Sequence, residues 1–335
     1  MCTDQSKRDL KSAVIRVKFD WTIASAGATA PPMSLALSVF PLLLIIAAGY
    51  ALAKSQIIPR SGWAAIETLS FRGLIPATLI LAISRSDLSL ERFGGFGVSL
   101  VGTLVILTLL ALSLRLLSKD ALDNPAFTSL FQGGIRWNAF VALAAAEQFL
   151  SGGIAIMAVA IAVLIPLINI TCIVVLASFG PSKASVSKVL TTLSRNPLVQ
   201  ACVIGLVLNV AGIPLPIPVT EALDMIGRGA LGVGLMAVGA GISLRRLTRL
   251  DWRVCLGAFM RPVLASTVFV LVGTAVGISQ VQLMAGVLVF AAPAASNGYI
   301  VAKQMGGDAN LYADIMTWQV VLSLLALPLW AQYLL

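Results

Sequence analysis

Glu67, Arg72, Arg136, Asp224 and Arg228 are charged side chains that sit within apolar stretches of this sequence. Arg72, Arg136 and Arg228 each stand roughly ten residues inside a segment long enough to cross a bilayer. A charge at that depth is expensive, and it is kept where it is paired or faces water. Glu67 lies five residues before Arg72. Asp224 lies four before Arg228, a spacing that brings this second pair onto one helical face. Two chemistries fit these groups. They are neutralised pairs that lock neighbouring helices, or they are cations that hold an anionic solute while an acid exchanges a proton. Glu147 and Arg261 lie nearer segment ends and are read as interfacial, with long side chains reaching toward water.

Two asparagines add uncharged donors and acceptors. Residues 138–141 read Asn-Ala-Phe-Val, and residues 297–300 read Asn-Gly-Tyr-Ile. The second run shares an apolar segment with Pro293 and Gly298. Pro293 withholds a backbone donor and clashes with the preceding turn, so the segment is expected to break there. Unpaired backbone costs several kcal/mol per group in lipid, so a break persists only within protein or beside a water-filled cavity. Paired breaks are where secondary carriers bind their solutes. Asn138, Phe140, Pro293, Asn297, Gly298 and Tyr299 are therefore the candidate solute-binding residues. Capping of freed backbone is the structural alternative for the two asparagines.

The elements that must hold these groups are helices in a membrane. The chain is 59% hydrophobic and 11% charged, with a mean hydropathy of +0.97, whereas soluble domains carry roughly 25% charged residues. From Met33 onward ten apolar segments occur, at 34–53, 63–84, 95–117, 126–149, 153–177, 196–213, 219–242, 255–277, 281–303 and 311–333. The expected fold is an all-α polytopic membrane protein with ten transmembrane helices. Residues 1–32 are polar and of mixed charge, without the apolar core of a signal peptide. They are read as a disordered tail, or as lying ahead of a true start at Met33.

A repeat runs through the apolar region. Pro41, Gly49 and Arg72-Gly73 recur as Pro197, Gly205 and Arg228-Gly229, each 156 residues on, while Asn138 and Asn297 are 159 apart. Five segments per unit put the second unit upside down relative to the first. The expected organisation is a first repeat at 33–178, a linker at 179–195 and a second repeat at 196–335, with segments 4 and 9 broken and crossing. Loops on one face carry twelve Lys and Arg, against two on the other outside the 1–32 tail. Positive loops favour the cytoplasm. The linker is therefore expected inside, and both termini on the non-cytoplasmic side of the inner or plasma membrane. Gly229, Gly232, Gly234, Gly239 and Gly241 give the seventh segment a small-residue face suited to close helix packing.

Other functions find no support. The chain contains no histidine, HExxH, P-loop or GxSxG motif, so an enzyme, a cofactor or a metal site is not expected. The four cysteines show no paired spacing. The net charge of +9 lies mostly in short loops, a topology signal rather than a nucleic-acid surface.

At these residues the chain resembles the auxin efflux carrier family, the bacterial relatives of the plant PIN exporters. The resemblance covers about 34–335 and rests on Pro293-Ala-Ala-Ser-Asn297-Gly-Tyr299, Gly306-Gly-Asp308, Leu327-Pro328, Asn196-Pro197-Leu198 and the Gly-rich seventh segment. It implies ten helices in two inverted five-helix repeats, with crossing breaks at the substrate site, and carriage of small organic anions such as carboxylates. It also implies homodimerisation. Asn138-Ala-Phe140 lacks the Gly and Pro that usually follow in the family, so a milder fourth-segment break is expected. The solute partner is then a small organic anion, moved by alternating access, with proton coupling through Glu67 or Asp224 and potential-driven uniport both compatible. A sodium-coupled carrier of the bile-acid type and a non-transporting receptor or scaffold are the rival readings.

Overall fold

A computed structural model describes residues 32–85, 90–117, 121–180, 191 and 194–335. Every apolar segment falls on helix, and no strand occurs among the described residues. Helix α1 is Pro32–Lys54. Helices α2 (Arg60–Leu69) and α3 (Ile75–Ser84) join through a π-helical turn at Ser70–Leu74. Then follow α4 (Leu90–Leu117), α5 (Asn124–Ile135), α6 (Ala139–Phe149) and α7 (Gly153–Phe179). The later part runs α8 (Pro197–Val210), α9 (Ile217–Arg228), α10 (Ala230–Gly241), α11 (Trp252–Phe259) and α12 (Ser266–Val276). It ends with α13 (Gln280–Ala291), α14 (Asn297–Met305) and α15 (Ala309–Leu334). The expected tail and linker lie outside the described residues except at 32, 179–180, 191 and 194–195.

Local sequence accounts for many of the boundaries. Asp123, Asn138, Asn196, Asp251, Ser279 and Asp308 each cap a helix by accepting a backbone N–H with the side chain. Pro76 and Pro262 withhold the N–H that an α-helical ladder requires, and a π-helical turn precedes the first and contains the second. Six uninterrupted stretches are long and apolar enough to cross a membrane: Ser61–Ser84, Phe93–Leu116, Gly153–Phe179, Ile217–Gly241, Trp252–Val276 and Ala309–Leu334. Of the other four expected segments, two are divided by breaks, the first lies within the 23-residue helix α1, and α8 is a shorter apolar helix.

The fourth segment corrects the expectation of a mild break. Arg136 and Asn138 adopt extended backbone, and residues 136–138 leave the helix completely. The Asn138 side chain restarts it, so neither Gly nor Pro is needed. The ninth segment breaks at 292–296. Both breaks lie deep in the protein: α5 from Ala126 and α13 from Met284 are buried at every residue to their ends. Helix α1 packs along α10 and α3 along α8, the most extensive helix contacts among the described residues. The first is close because a Cβ on Gly239 would strike the Ile46 carbonyl, and one on Gly49 the backbone of Met236. Gly234 packs under the Phe140 ring, whereas Gly232 and Gly241 face open space. Only part of the small-residue face is used for contact.

Candidate functional site

The two breaks meet. The Asn138 N–H donates to the Pro293 carbonyl at 2.8 Å, while Asn138 Oδ1 accepts from the N–H groups of Phe140 (3.0 Å) and Val141 (3.3 Å). Gln319 of α15 ties both breaks to α11. Its Oε1 accepts from Ala294 N–H at 2.8 Å, and its Nε2 donates to the carbonyls of Gly133 (3.0 Å) and Gly257 (2.6 Å). The Tyr312 hydroxyl donates to the Ala295 carbonyl at 2.5 Å.

A cavity of about 330 Å³ opens at this junction, lined by Glu67, Arg72, Arg136, Asn138, Phe140, Asn169, Ser296 and Asn297 among others. Arg136 is 5% exposed. Its Nε donates to Gln132 Oε1 at 3.0 Å and its Nη1 to Asn169 Oδ1 at 3.2 Å, so its partners are neutral. No ion pair forms between Arg136 or Arg72 and a described carboxylate. Asn297 is exposed to the cavity, and no described residue holds its side-chain amide. The N-termini of α6 and α14 begin at this junction, which adds the positive ends of two helix dipoles.

Several of the expected site residues have other partners or positions in the structure. Glu67 does not pair with Arg72. Five residues overshoot one helical turn, and the carboxylate instead accepts from the Ser296 hydroxyl, linking α2 to the second break. Asp224 and Arg228 do form their ion pair, at 2.8 Å, but Arg228 is 72% exposed. They line a separate cavity of about 570 Å³ with Arg85 and Glu147. Pro293, Gly298 and Tyr299 do not line the junction cavity. Pro293 supplies a carbonyl to Asn138, and Gly298 is a close approach, since a Cβ there would enter the Tyr312 ring.

Arg261 is not interfacial. It is 1% exposed, and its guanidinium donates to four carbonyls at the ends of α5 and α13. Nε reaches Ala292 (2.7 Å), Nη2 reaches Val289 (2.5 Å), and Nη1 reaches Gly134 (3.3 Å) and Ile135 (3.0 Å). Helix ends leave carbonyls without intrahelical partners, and two such ends converging in the core demand a donor. The visible signal was Arg261-Pro262 standing nine residues past Trp252, too deep for a snorkelling side chain. Gln319, Ser296 and Asn169 gave no comparable signal, since a lone polar residue in an apolar segment names no partner in the sequence.

Comparison with protein-family models matches residues 155–331 to a family described as membrane transport protein. A search of curated proteins finds no match.

Proposed function

This chain belongs to the membrane transport protein family, whose model covers more than half of it. From that premise we propose that it carries a small organic anion, such as a carboxylate, by alternating access at the junction of the two breaks. The observation that carries this reading is Arg136: a buried guanidinium at the cavity, bonded only to neutral amides. An uncompensated buried cation is costly, and a solute carboxylate would supply the missing charge. The two helix N-termini favour the same sign of ligand, and the uncommitted Asn297 amide offers it a hydrogen-bond donor.

An inverted repeat is supported by the helix pairs. The 156-residue offset relates the first segment to the sixth and the second to the seventh. The packing of first on seventh (α1 on α10) then has as its counterpart the packing of second on sixth (α3 on α8). In this proposal both termini lie on the non-cytoplasmic side of the inner or plasma membrane. Any coupling proton is assigned to Glu67, which touches the junction, and not to Asp224, which is already ion-paired in the other cavity.

The test is uptake of labelled mono- and dicarboxylates by purified protein in liposomes, with and without a pH gradient. Saturable uptake abolished by Asn297→Ala is the expected result. Absence of transport for every anion, from protein shown to be folded, would overturn the reading.

A further inference from the structure

We infer that Arg261 is a built-in cation occupying the place where a carrier of this architecture would otherwise bind a coupling metal ion. Helices α5 and α13 end within the core, and each C-terminus carries about half an elementary negative charge. Together they present roughly one unit of negative charge and the carbonyls of Gly134, Ile135, Val289 and Ala292, all facing one point. Carriers with discontinuous helices use such carbonyls and half-helix C-terminal ends to coordinate sodium. Here that position is filled by a guanidinium with five fixed donors and a charge that protein environments do not remove. No described carboxylate pairs with Arg261, so its charge is balanced by the helix ends. The junction is thus held without a dissociable ion, and a sodium-coupled cycle has no vacant carbonyl set at this point. Only this consequence for coupling rests on the carrier reading; the cation role of Arg261 is testable without any solute.

The experiment uses purified full-length protein in detergent, comparing melting temperature in sodium chloride and choline chloride at equal ionic strength, beside ²²Na binding. The native protein is expected to melt at the same temperature in both salts and to bind no ²²Na. Arg261→Met leaves the carbonyls unpaired. It is expected to melt several degrees lower and to recover much of that loss on adding millimolar guanidinium or sodium, which choline does not reproduce. Rescue by a small cation separates this role from mere packing, which a freely added ion would not restore. Should Arg261→Met fail to fold, Arg261→Lys keeps the charge with fewer donors and Arg261→Gln keeps donors without the charge; the Lys variant is expected to melt closer to the native protein and to gain nothing from guanidinium, and the Gln variant to melt lower and to be restored by guanidinium but not choline. Saturable sodium stabilisation or ²²Na binding in the native protein would overturn the inference, as would Arg261→Met or Arg261→Gln protein that responds to neither cation.

Discussion

Residue scale decides the chemistry of the junction. Arg136 and Arg228 looked equivalent as charges inside apolar segments, yet one is buried at the crossing and the other is exposed in an ion pair. A hydrogen bond to a charged group contributes about 1.5–3 kcal/mol. Arg136→Gln is therefore expected to raise the KM for a transported carboxylate by roughly 10- to 100-fold. Arg228→Ala removes an exposed pair worth at most about 1 kcal/mol and should leave KM near its native value. A KM shift of equal size in both variants would place the anion elsewhere. Glu67→Gln keeps an acceptor for the Ser296 hydroxyl but cannot exchange a proton. If Glu67 carries the coupling proton, this variant retains solute counterflow and loses stimulation by a pH gradient; unchanged stimulation would remove Glu67 from that role.

Each helix depends on how its ends are satisfied and how closely its neighbours approach. Asp251 starts α11 by accepting the Val254 N–H at 2.9 Å and is also held by Arg253. Partial burial works to raise its pKa, but the Val254 N–H and the Arg253 guanidinium outweigh it and hold the carboxyl below its ordinary value. A depressed folded value means that this stabilisation is fully present above the ordinary carboxylate range and is lost as pH falls through the folded value. Asp251→Ala is expected to cost about 1 kcal/mol at neutral pH, with the gap to the native protein closing on strong acidification. Thermal melts across pH would show a constant gap if the cap were irrelevant. Gly239→Val places a branched side chain against the Ile46 carbonyl, an overpacking expected to cost about 1–3 kcal/mol. The same change at Gly241, where nothing lies within 4 Å, should cost less.

For the molecule as a whole, the proposed inverted arrangement makes a geometric demand on the loops. Ser55 and Pro214 lie in the equivalent connections of the two units, after the first and the sixth segments, which the proposed topology puts on opposite sides of the membrane, and both are exposed. In a background with the native cysteines replaced, Ser55→Cys should react with an impermeant maleimide only from the cytoplasmic side, and Pro214→Cys only from outside. Reaction of both from one side would remove the inverted orientation while leaving the helix contacts intact.

The membrane class, the helical segments and the two interruption sites are legible in the residues alone. Those follow from composition and from local chemistry: apolar runs of bilayer length, a proline without its N–H, an asparagine able to cap. Tertiary structure alone decided which polar groups meet. Glu67 took Ser296 from 229 residues away, Gln319 joined both breaks, and Arg261 collected carbonyls 28 to 127 residues distant. Arg228 was set apart from the junction that its spacing seemed to share. The reason is physical. Helix formation and breakage are settled within a few residues, whereas the partner of a buried charge is whichever unsatisfied group the packing brings within about 3 Å.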